Sequence, residues 1–260
     1  MLCTGSARSK VCVMSAVFLV VMLWSAVLAA RAELTVTPHV VRIGTWYDGA
    51  KIHVRAVIPE GCQAVLELRG APAQTRLMRK ERHWGMWKNG AEILECGAPV
   101  LYLAMSTDPE LLSRSKKNPS WGYDAISGRI SFTGGVGNIA HHQLFDEFLR
   151  LKENRGRYGI FPGRASIQVL PGKGRLVEGA FNLPTHLACG NYHVALSVVK
   201  DGRVLSKEMR PLKVELAGFP AAVFELAHKH ALAYGILAAG IAILSGFLVG
   251  LLFHFIGKPE

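Results

Sequence analysis

Arginine, lysine and tryptophan concentrate in one short stretch of this sequence, between residues 76 and 88. Arginine and aromatic residues together are typical of the side chains that dominate protein interfaces. We therefore predict a partner patch there, whereas a strand with Trp84 and Met86 facing inward would leave the basic residues merely solvated. The patch consists of Arg79, Lys80, Arg82, Trp84 and Trp87.

Small residues recur at every fourth position in an apolar segment near the C-terminus. This spacing places them on one face of a helix, where a second helix could approach closely. Because glycine and alanine are common in membrane helices, the pattern could also be compositional. The predicted helix-packing interface comprises Ala238, Ala242, Gly246 and Gly250.

Other residues permit metal or anion binding, but each has a simpler interpretation. His141 and His142 precede Asp146 and Glu147, with His142 and Asp146 four residues apart on a predicted helix, yet a solvated helix surface explains the same residues. The glycine-rich residues 133–138 could hold an anion with free backbone amides, or form a plain loop. We predict no metal site and no cofactor.

Catalytic motifs are missing from the sequence. It contains no GxSxG elbow, no HExxH pair, no Walker sequence and no cysteine in a recognisable nucleophile context. We therefore expect the chain not to be an enzyme, and we assign no catalytic residue.

Two apolar segments bracket the chain. The first, residues 11–30, follows Arg8 and Lys10 and ends in a small-x-small sequence, Ala30-Arg31-Ala32, which predicts a signal peptide over residues 1–32. The apolar run is long for a signal peptide, so an uncleaved anchor is the alternative. Both interpretations place the following domain outside the cytoplasm.

The second apolar segment contains 23 residues without a charge, 231–253. As a helix it would be about 35 Å long, enough to cross a bilayer core of about 30 Å. The sequence thus predicts a periplasmic domain at 33–219, a juxtamembrane linker at 220–230, a transmembrane helix at 231–256 and a cytoplasmic tail at 257–260. We expect a single-pass protein of the bacterial inner membrane.

The predicted exported part, residues 33–229, has 26 basic and 18 acidic residues, a net charge of +8. This charge favours anionic partners such as lipid headgroups, an acidic protein face or small oxyanions. Nucleic acid is excluded as a partner by the compartment. Three cysteines, Cys62, Cys96 and Cys189, follow the signal, which allows one disulfide of undetermined pairing and one spare thiol.

The exported part has the signals of β-structure. Turn sequences occur at Asp48-Gly49, Asn89-Gly90 and Asp201-Gly202, and apolar residues alternate along residues 51–58, 192–198 and 212–216. Tyr192 opens a late strand after a glycine corner, as in the tyrosine corner of immunoglobulin-like domains, although an ordinary strand tyrosine explains the same residue. We predict a mainly β fold, an immunoglobulin-like sandwich with one amphipathic surface helix at 139–153 that Asn138 could cap, followed by the transmembrane helix.

Several short motifs occur in an order and spacing that resemble a family of bacterial transmembrane proteins. They are Arg69-Gly70, Lys80, Gly85-Met86-Trp87-Lys88-Asn89, Leu149-Arg150-Leu151-Lys152, Tyr158, Phe181-Asn182-Leu183-Pro184, Gly190-Asn191-Tyr192 and Tyr234-Gly235. The resemblance implies an inner-membrane protein with a periplasmic domain, encoded beside permeases similar to sulfite or sulfonate exporters. It implies no activity and no catalytic residues.

These observations lead to two functional hypotheses. The first is an accessory or interaction subunit of a membrane transport system, with a permease or a second copy of the chain as partner. The second is a periplasmic module that binds an oxyanion or a metal ion and presents it at the membrane.

Overall fold

A computed structural model describes residues 33–113, 120–137, 139–171 and 174–256. The predicted signal peptide (1–32), the helix-capping residue Asn138 and the predicted cytoplasmic tail (257–260) lie outside the described residues.

The described chain is mainly β, as predicted, with 49% strand and 28% helix. The strands are β1 (Glu33–Thr37), β2 (Val40–Ile43), β3 (Ala50–Ile58), β4 (Gln63–Gly70), β5 (Pro72–His83), β6 (Met86–Pro99), β7 (Tyr102–Ser106), β8 (Ser131–Gly134), β9 (Tyr158–Phe161), β10 (Ser166–Leu170), β11 (Gly174–Leu183), β12 (Gly190–Lys200) and β13 (Arg203–Leu216). The helices are α1 (Gly122–Ser127), α2 (His141–Asn154), α3 (Phe219–Lys229) and α4 (Ala231–Ile256).

Two sheets enclose the main core. The first has the order β1-β3-β11-β10 and the second the order β2-β13-β12-β4-β7-β9. Alternation along β3 buries Ile52, Val54, Ala56 and Ile58 and exposes the residues between them, as the sequence pattern predicted. The buried residues of β3 pack against those of β4, β12 and β13 in one cluster.

A second hydrophobic core lies on the other face of the six-stranded sheet, beneath a covering layer. Strand β4 is buried on both faces from Ala64 to Leu68, and β12 is buried on both faces from Val194 to Val199. The covering layer contains α1, α2 and a third sheet of order β5-β6-β8. The large aromatic side chains of this second core come from the sheet, Tyr102 and Tyr158, and from the covering layer, Trp121, Tyr123, Phe145 and Phe148.

The predicted tyrosine corner is present. The Tyr192 hydroxyl donates to the carbonyl of Ala188 at 2.6 Å, and the ring is buried. The order of the first sheet, and the adjacency of β4, β12 and β13, match the A-B-E-D and C-F-G orders of immunoglobulin-like domains. The immunoglobulin-like class itself stays a prediction, because two parallel pairs, β2 with β13 and β7 with β9, extend the second sheet.

Of the three predicted hairpin turns, one is confirmed. Asp201 and Gly202 join β12 to β13 with φ angles of 49° and 76°. Asp48-Gly49 instead connects β2 to β3, which belong to different sheets. Asn89-Gly90 lies within β6, where the missing side chain of Gly90 makes room for the Glu81 carboxyl group on the neighbouring strand.

The predicted surface helix is confirmed as α2, which buries Leu144, Phe145 and Phe148. Helices α1 and α3 were not predicted. Helix α4 is the one described helix that is long and apolar enough to cross a membrane, and its candidate span is Ala231–His254.

Candidate interaction surfaces

Strands β5 and β6 form a long hairpin, which we call the arm. Pairing continues from β4 and β7 into the arm without interruption, because Gly70 donates to Leu101 at 2.9 Å and Val100 donates to Ala71 at 3.0 Å. The 12 residues of β5 give the arm a length of about 40 Å along its strands. Its base is thus held by the six-stranded sheet, while its tip carries the predicted partner patch.

The base of the arm packs against the aromatic core, whereas the tip is exposed to solvent. Ile93 and Ala98 are buried, and Leu77 packs against the aromatic core. At the tip, Trp84 is 98% exposed and Met86 is 73% exposed. The alternative in which Trp84 and Met86 face inward is therefore wrong.

The arm brings most of the predicted patch together. Cross-strand pairing places Lys80 opposite Asn89 and Arg82 opposite Trp87, so Lys80, Arg82 and Trp87 share one face. The Lys80 ammonium donates to Asn89 Oδ1 at 2.6 Å, which holds it beside that face. Arg79 follows a bulge and pairs with Glu81 at 2.9 Å on the opposite face.

The turn at the tip has an unusual residue. Trp84 and Gly85 have φ angles of 50° and 82°, the conformation of a type I′ hairpin turn. Glycine, asparagine and aspartate are favoured in this turn, whereas a bulky side chain at positive φ is uncommon. Trp84 thus combines a strained backbone conformation with a side chain exposed to solvent. Packing against the other described residues does not explain this combination.

The predicted helix-packing residues all lie on α4. Ala238, Ala242, Gly246 and Gly250 are exposed, and a Cβ added at Gly246 or Gly250 would meet no other described residue within 4 Å. This face of the helix is open along its length, so a second helix could contact its backbone closely.

The residues considered for metal binding have structural roles. The His141 ring bonds through Nε2 to the carbonyl of Ile130 at 3.0 Å and packs against Phe132. His142 and Asp146 line a groove of about 620 Å³ between α1 and α2. No three His, Cys, Asp or Glu side chains among the described residues are grouped so as to hold a metal.

The glycine-rich loop uses its amides within the fold. Gly135 donates to Glu92 at 2.8 Å and Val136 donates to Gly134 at 2.8 Å. The loop therefore closes the pairing of β8 with β6, and these two amides are not free to bind an anion.

A buried polar network, which sequence reasoning missed, lies under the aromatic layer. Glu67 is fully buried, and its Oε1 accepts from the Tyr102 hydroxyl and from Arg69 Nη2, the latter at 2.6 Å. The Gly122 amide donates to the Tyr102 oxygen at 2.8 Å. Burial, reinforced by the Glu67 carboxylate, raises the pKa of Tyr102 well above its ordinary value. Glu67 Oε2 and Arg69 Nε have no hydrogen-bond partner among the described residues.

Two further buried charged residues, Glu95 of β6 and Lys152 of α2, lie where α2 faces the arm. Glu95 is fully buried and accepts from the Ala98 amide at 2.8 Å. The Lys152 ammonium lies 5.0 Å from the ring centroid of Phe148 and 5.9 Å from that of Tyr158. Burial lowers the pKa of Lys152, and the Glu95 carboxylate opposes that shift. Charge attraction and cation–π contact thus stabilise the packing of the covering layer.

The three cysteines of the described residues are free thiols. Cys62 is buried, Cys96 is half-buried and Cys189 is exposed. The disulfide that the cysteine count allowed is not formed in this structure.

Comparison with known proteins identifies a transmembrane family. The model of the family described as "Putative transmembrane protein (Alph_Pro_TM)" matches residues 31–254, which include both sheets, the arm and nearly all of α4. No curated protein matches the chain. The match agrees with the resemblance found in the sequence, while the signal peptide and the neighbouring permease genes stay predictions.

Proposed function

The chain belongs to this transmembrane family, and from that premise we propose that it is an interaction subunit anchored in the membrane by α4. In this proposal the β domain lies in the periplasm of a bacterium, and the arm contacts a membrane transport protein. The proposed partner is a permease for a sulfur oxyanion or a sulfonate, in line with the gene neighbourhood that the resemblance implies.

The observation that carries the proposal is Trp84 at the tip of the arm. Its exposure costs hydrophobic free energy and its positive φ costs backbone strain, and contacts with the other described residues offset neither cost. Tryptophan beside Lys80, Arg82 and Trp87 has the composition of an interface hot spot. A partner that buries Trp84 would explain all of these features together.

The open face of α4 supports the same proposal from inside the membrane. Small residues let a partner helix approach until the backbones are in van der Waals contact. The occupant of this face would be a helix of the permease or α4 of a second copy. The arm and α4 would then hold the partner at two separate points, which increases the effective affinity of each contact.

Photo-crosslinking in native membranes tests the proposal. A benzoylphenylalanine at position 84 is expected to capture an integral membrane protein, identified by mass spectrometry. The matched control is the same group at Val169, which is 65% exposed and lies on β10, outside the arm. If positions 84 and 169 capture the same proteins, or if neither captures one, the arm is not a partner surface.

The second candidate function, binding of an oxyanion, is favoured by one surface feature. Two cavities of about 250 and 320 Å³ lie on the first sheet, and His53 and Arg55 line both. Arg164 lines the smaller of the two cavities. Glu178 lines the same cavity and already pairs with Arg55 at 2.7 Å. Isothermal titration of the full chain in nanodiscs with sulfite and sulfate tests this function. Binding that is lost in Arg55→Gln and Arg164→Gln would favour it over the interaction subunit.

A further inference from the structure

The chain leaves the β domain beside an exposed tryptophan. Strand β13 ends at Leu216 next to Ile43 of β2, and the following amide, that of Ala217, donates to the Ile43 carbonyl at 2.9 Å. A tight turn follows β2, closed by the Tyr47 amide donating to the Gly44 carbonyl at 3.3 Å. Trp46 lies in this turn, so it is placed at the edge of the domain from which the chain continues towards the membrane.

Trp46 is held in position while its side chain stays in solvent. Its neighbour Tyr47 packs against the main core, which fixes the turn. Trp46 itself is 95% exposed, and the turn gives it no cover. A large apolar side chain is therefore presented outward from a rigid edge.

Helix α3 begins two residues after β13 and is apolar without being buried. Phe219 is 71% exposed and Phe224 is 54% exposed, and none of its residues is buried. Its polar residues Glu225 and Lys229 are four apart on one side, where they form an ion pair at 2.6 Å. A short helix with this distribution is typical of helices that lie in the membrane interface.

Helix α3 continues almost directly into the membrane-spanning helix. Only His230 separates α3 from α4, and the hydrogen bonds from His230 to Leu226 and from Tyr234 to His230 are each 3.0 Å long. The backbone of His230, with φ of −130° and ψ of 53°, departs from helical geometry and allows a change of direction there. If α4 starts at the bilayer surface, the C-terminal end of α3 lies there too.

We propose that α3 and Trp46 form a platform that rests on the bilayer in which α4 is anchored. With α3 upright, its 11 residues would hold the domain about 16 Å above the membrane, with Phe219, Phe224 and Trp46 in water. With α3 flat, the phenylalanines enter the boundary of the acyl chains and Trp46 reaches the headgroup level that tryptophan prefers. The last turn of α3 carries two basic residues, His228 and Lys229, which suit anionic phospholipid headgroups. This platform requires no partner protein and is independent of the proposed role of the arm.

Quenching of tryptophan fluorescence by brominated lipid tests the platform. The purified full chain is reconstituted in vesicles of phosphatidylcholine and phosphatidylglycerol, with and without bromine on the acyl carbons nearest the headgroup. We expect Trp46→Phe to reduce the quenched emission by about one tryptophan's share, since indole prefers the interface. Because the readout is the difference between wild type and Trp46→Phe, the other tryptophans cancel.

Two double variants separate the platform from a general effect of added charge. In Phe219→Glu/Phe224→Glu, Trp46→Phe is expected to cause no further change in quenching, although the chain stays in carbonate-washed membranes through α4. The matched control is Leu205→Glu/Met209→Glu, at two exposed apolar residues of β13, and it should keep the full Trp46 signal. The platform is overturned if Trp46→Phe leaves quenching unchanged in the wild type, or if quenching by Trp46 survives the two glutamates in α3.

Discussion

At the scale of single residues, a buried charged side chain distinguishes this domain from a simple sandwich. Glu67 and Arg69 lie two residues apart on β4, on the face that alternation would assign to solvent. The covering layer buries that face, and Tyr102 and Arg69 then supply the hydrogen bonds that a buried carboxylate requires. We infer that this network fixes the covering layer in one position on the sheet.

Removing the guanidinium group of Arg69 should therefore lower the free energy of unfolding. Arg69→Met leaves the Glu67 carboxylate buried with the Tyr102 hydroxyl as its remaining side-chain donor, and we expect a loss of about 3–5 kcal/mol in the free energy of unfolding. Chemical denaturation of the detergent-solubilised chain measures it. Glu67→Gln in the same background should restore part of the loss, because it removes the unpaired charge. Additive effects of the two substitutions would show that the two side chains are not coupled.

Tyr192 gives the domain a specific response to alkaline pH. Burial, followed by the nearby Cys189 thiol, raises the pKa of Tyr192 to about 12. Between its unfolded pKa of about 10 and this value, the folded chain keeps a proton that the unfolded chain loses, so stability falls as the pH rises through this window. In Tyr192→Phe the fall should be shallower, and stability at neutral pH should drop by about 1 kcal/mol because the bond to Ala188 is lost. Parallel curves of melting temperature against pH for the two proteins would contradict this explanation.

Residue-level prediction from the sequence succeeded where a side chain acts locally. The tyrosine corner depends on backbone four residues away, so it could be predicted. The partner patch of the arm stays a prediction. Glu67 and Glu95 could not be predicted, because their burial depends on elements that come later in the chain. Alternation along a strand indicates two faces but does not show what covers each face.

At the scale of elements, the tip of the arm combines an unfavourable turn sequence, Trp84-Gly85, with an exposed side chain. Asparagine before glycine is among the most favourable type I′ turn sequences, so Trp84→Asn should keep or slightly raise the melting temperature of the chain. The same substitution should reduce capture of the membrane partner, measured by co-purification from native membranes, to the level of Trp84→Ala. If Trp84→Asn retains full capture, the tryptophan side chain is not the contact.

The open face of α4 makes a separate prediction. Gly246→Ile/Gly250→Ile adds bulk where a partner helix would approach, and we expect co-purification of the partner to fall because the added side chains keep the two helix backbones apart. Gly240→Ile adds the same side chain outside this row of small residues, about 120° round the helix from Gly246, and serves as the control. Equal association of the Gly246/Gly250 variant and the wild type would assign the small residues to composition alone.

Among the elements, sequence periodicity identified α2, α4 and the alternating strands. The secondary structure of each of these elements is determined by the pattern of its own residues. The Asn89-Gly90 turn was predicted wrongly because the same dipeptide also suits a strand in which a neighbour needs space. The Trp84-Gly85 turn was not predicted because tryptophan is disfavoured there. Because tryptophan is unfavourable at this position of the turn, its presence there indicates a function for the side chain.

At the scale of the whole molecule, a domain with two cores stands between a membrane helix and a solvent-exposed arm. The sandwich core supports the tyrosine corner and the exit of the chain beside Trp46, while the aromatic core supports the base of the arm. The chain belongs to a transmembrane family, and α4 is the one candidate membrane helix of the described residues. In the proposed function, the arm is the surface that contacts the partner.

The central claim is that the domain lies outside the cytoplasm, anchored by α4. Cys189 is the one exposed thiol of the described residues and reports directly on this claim. In intact spheroplasts, a membrane-impermeant maleimide should label the wild-type chain after mild reduction, and Cys189→Ser should lose that label. Labelling of Cys189 only after the spheroplasts are lysed would place the domain in the cytoplasm and contradict the account.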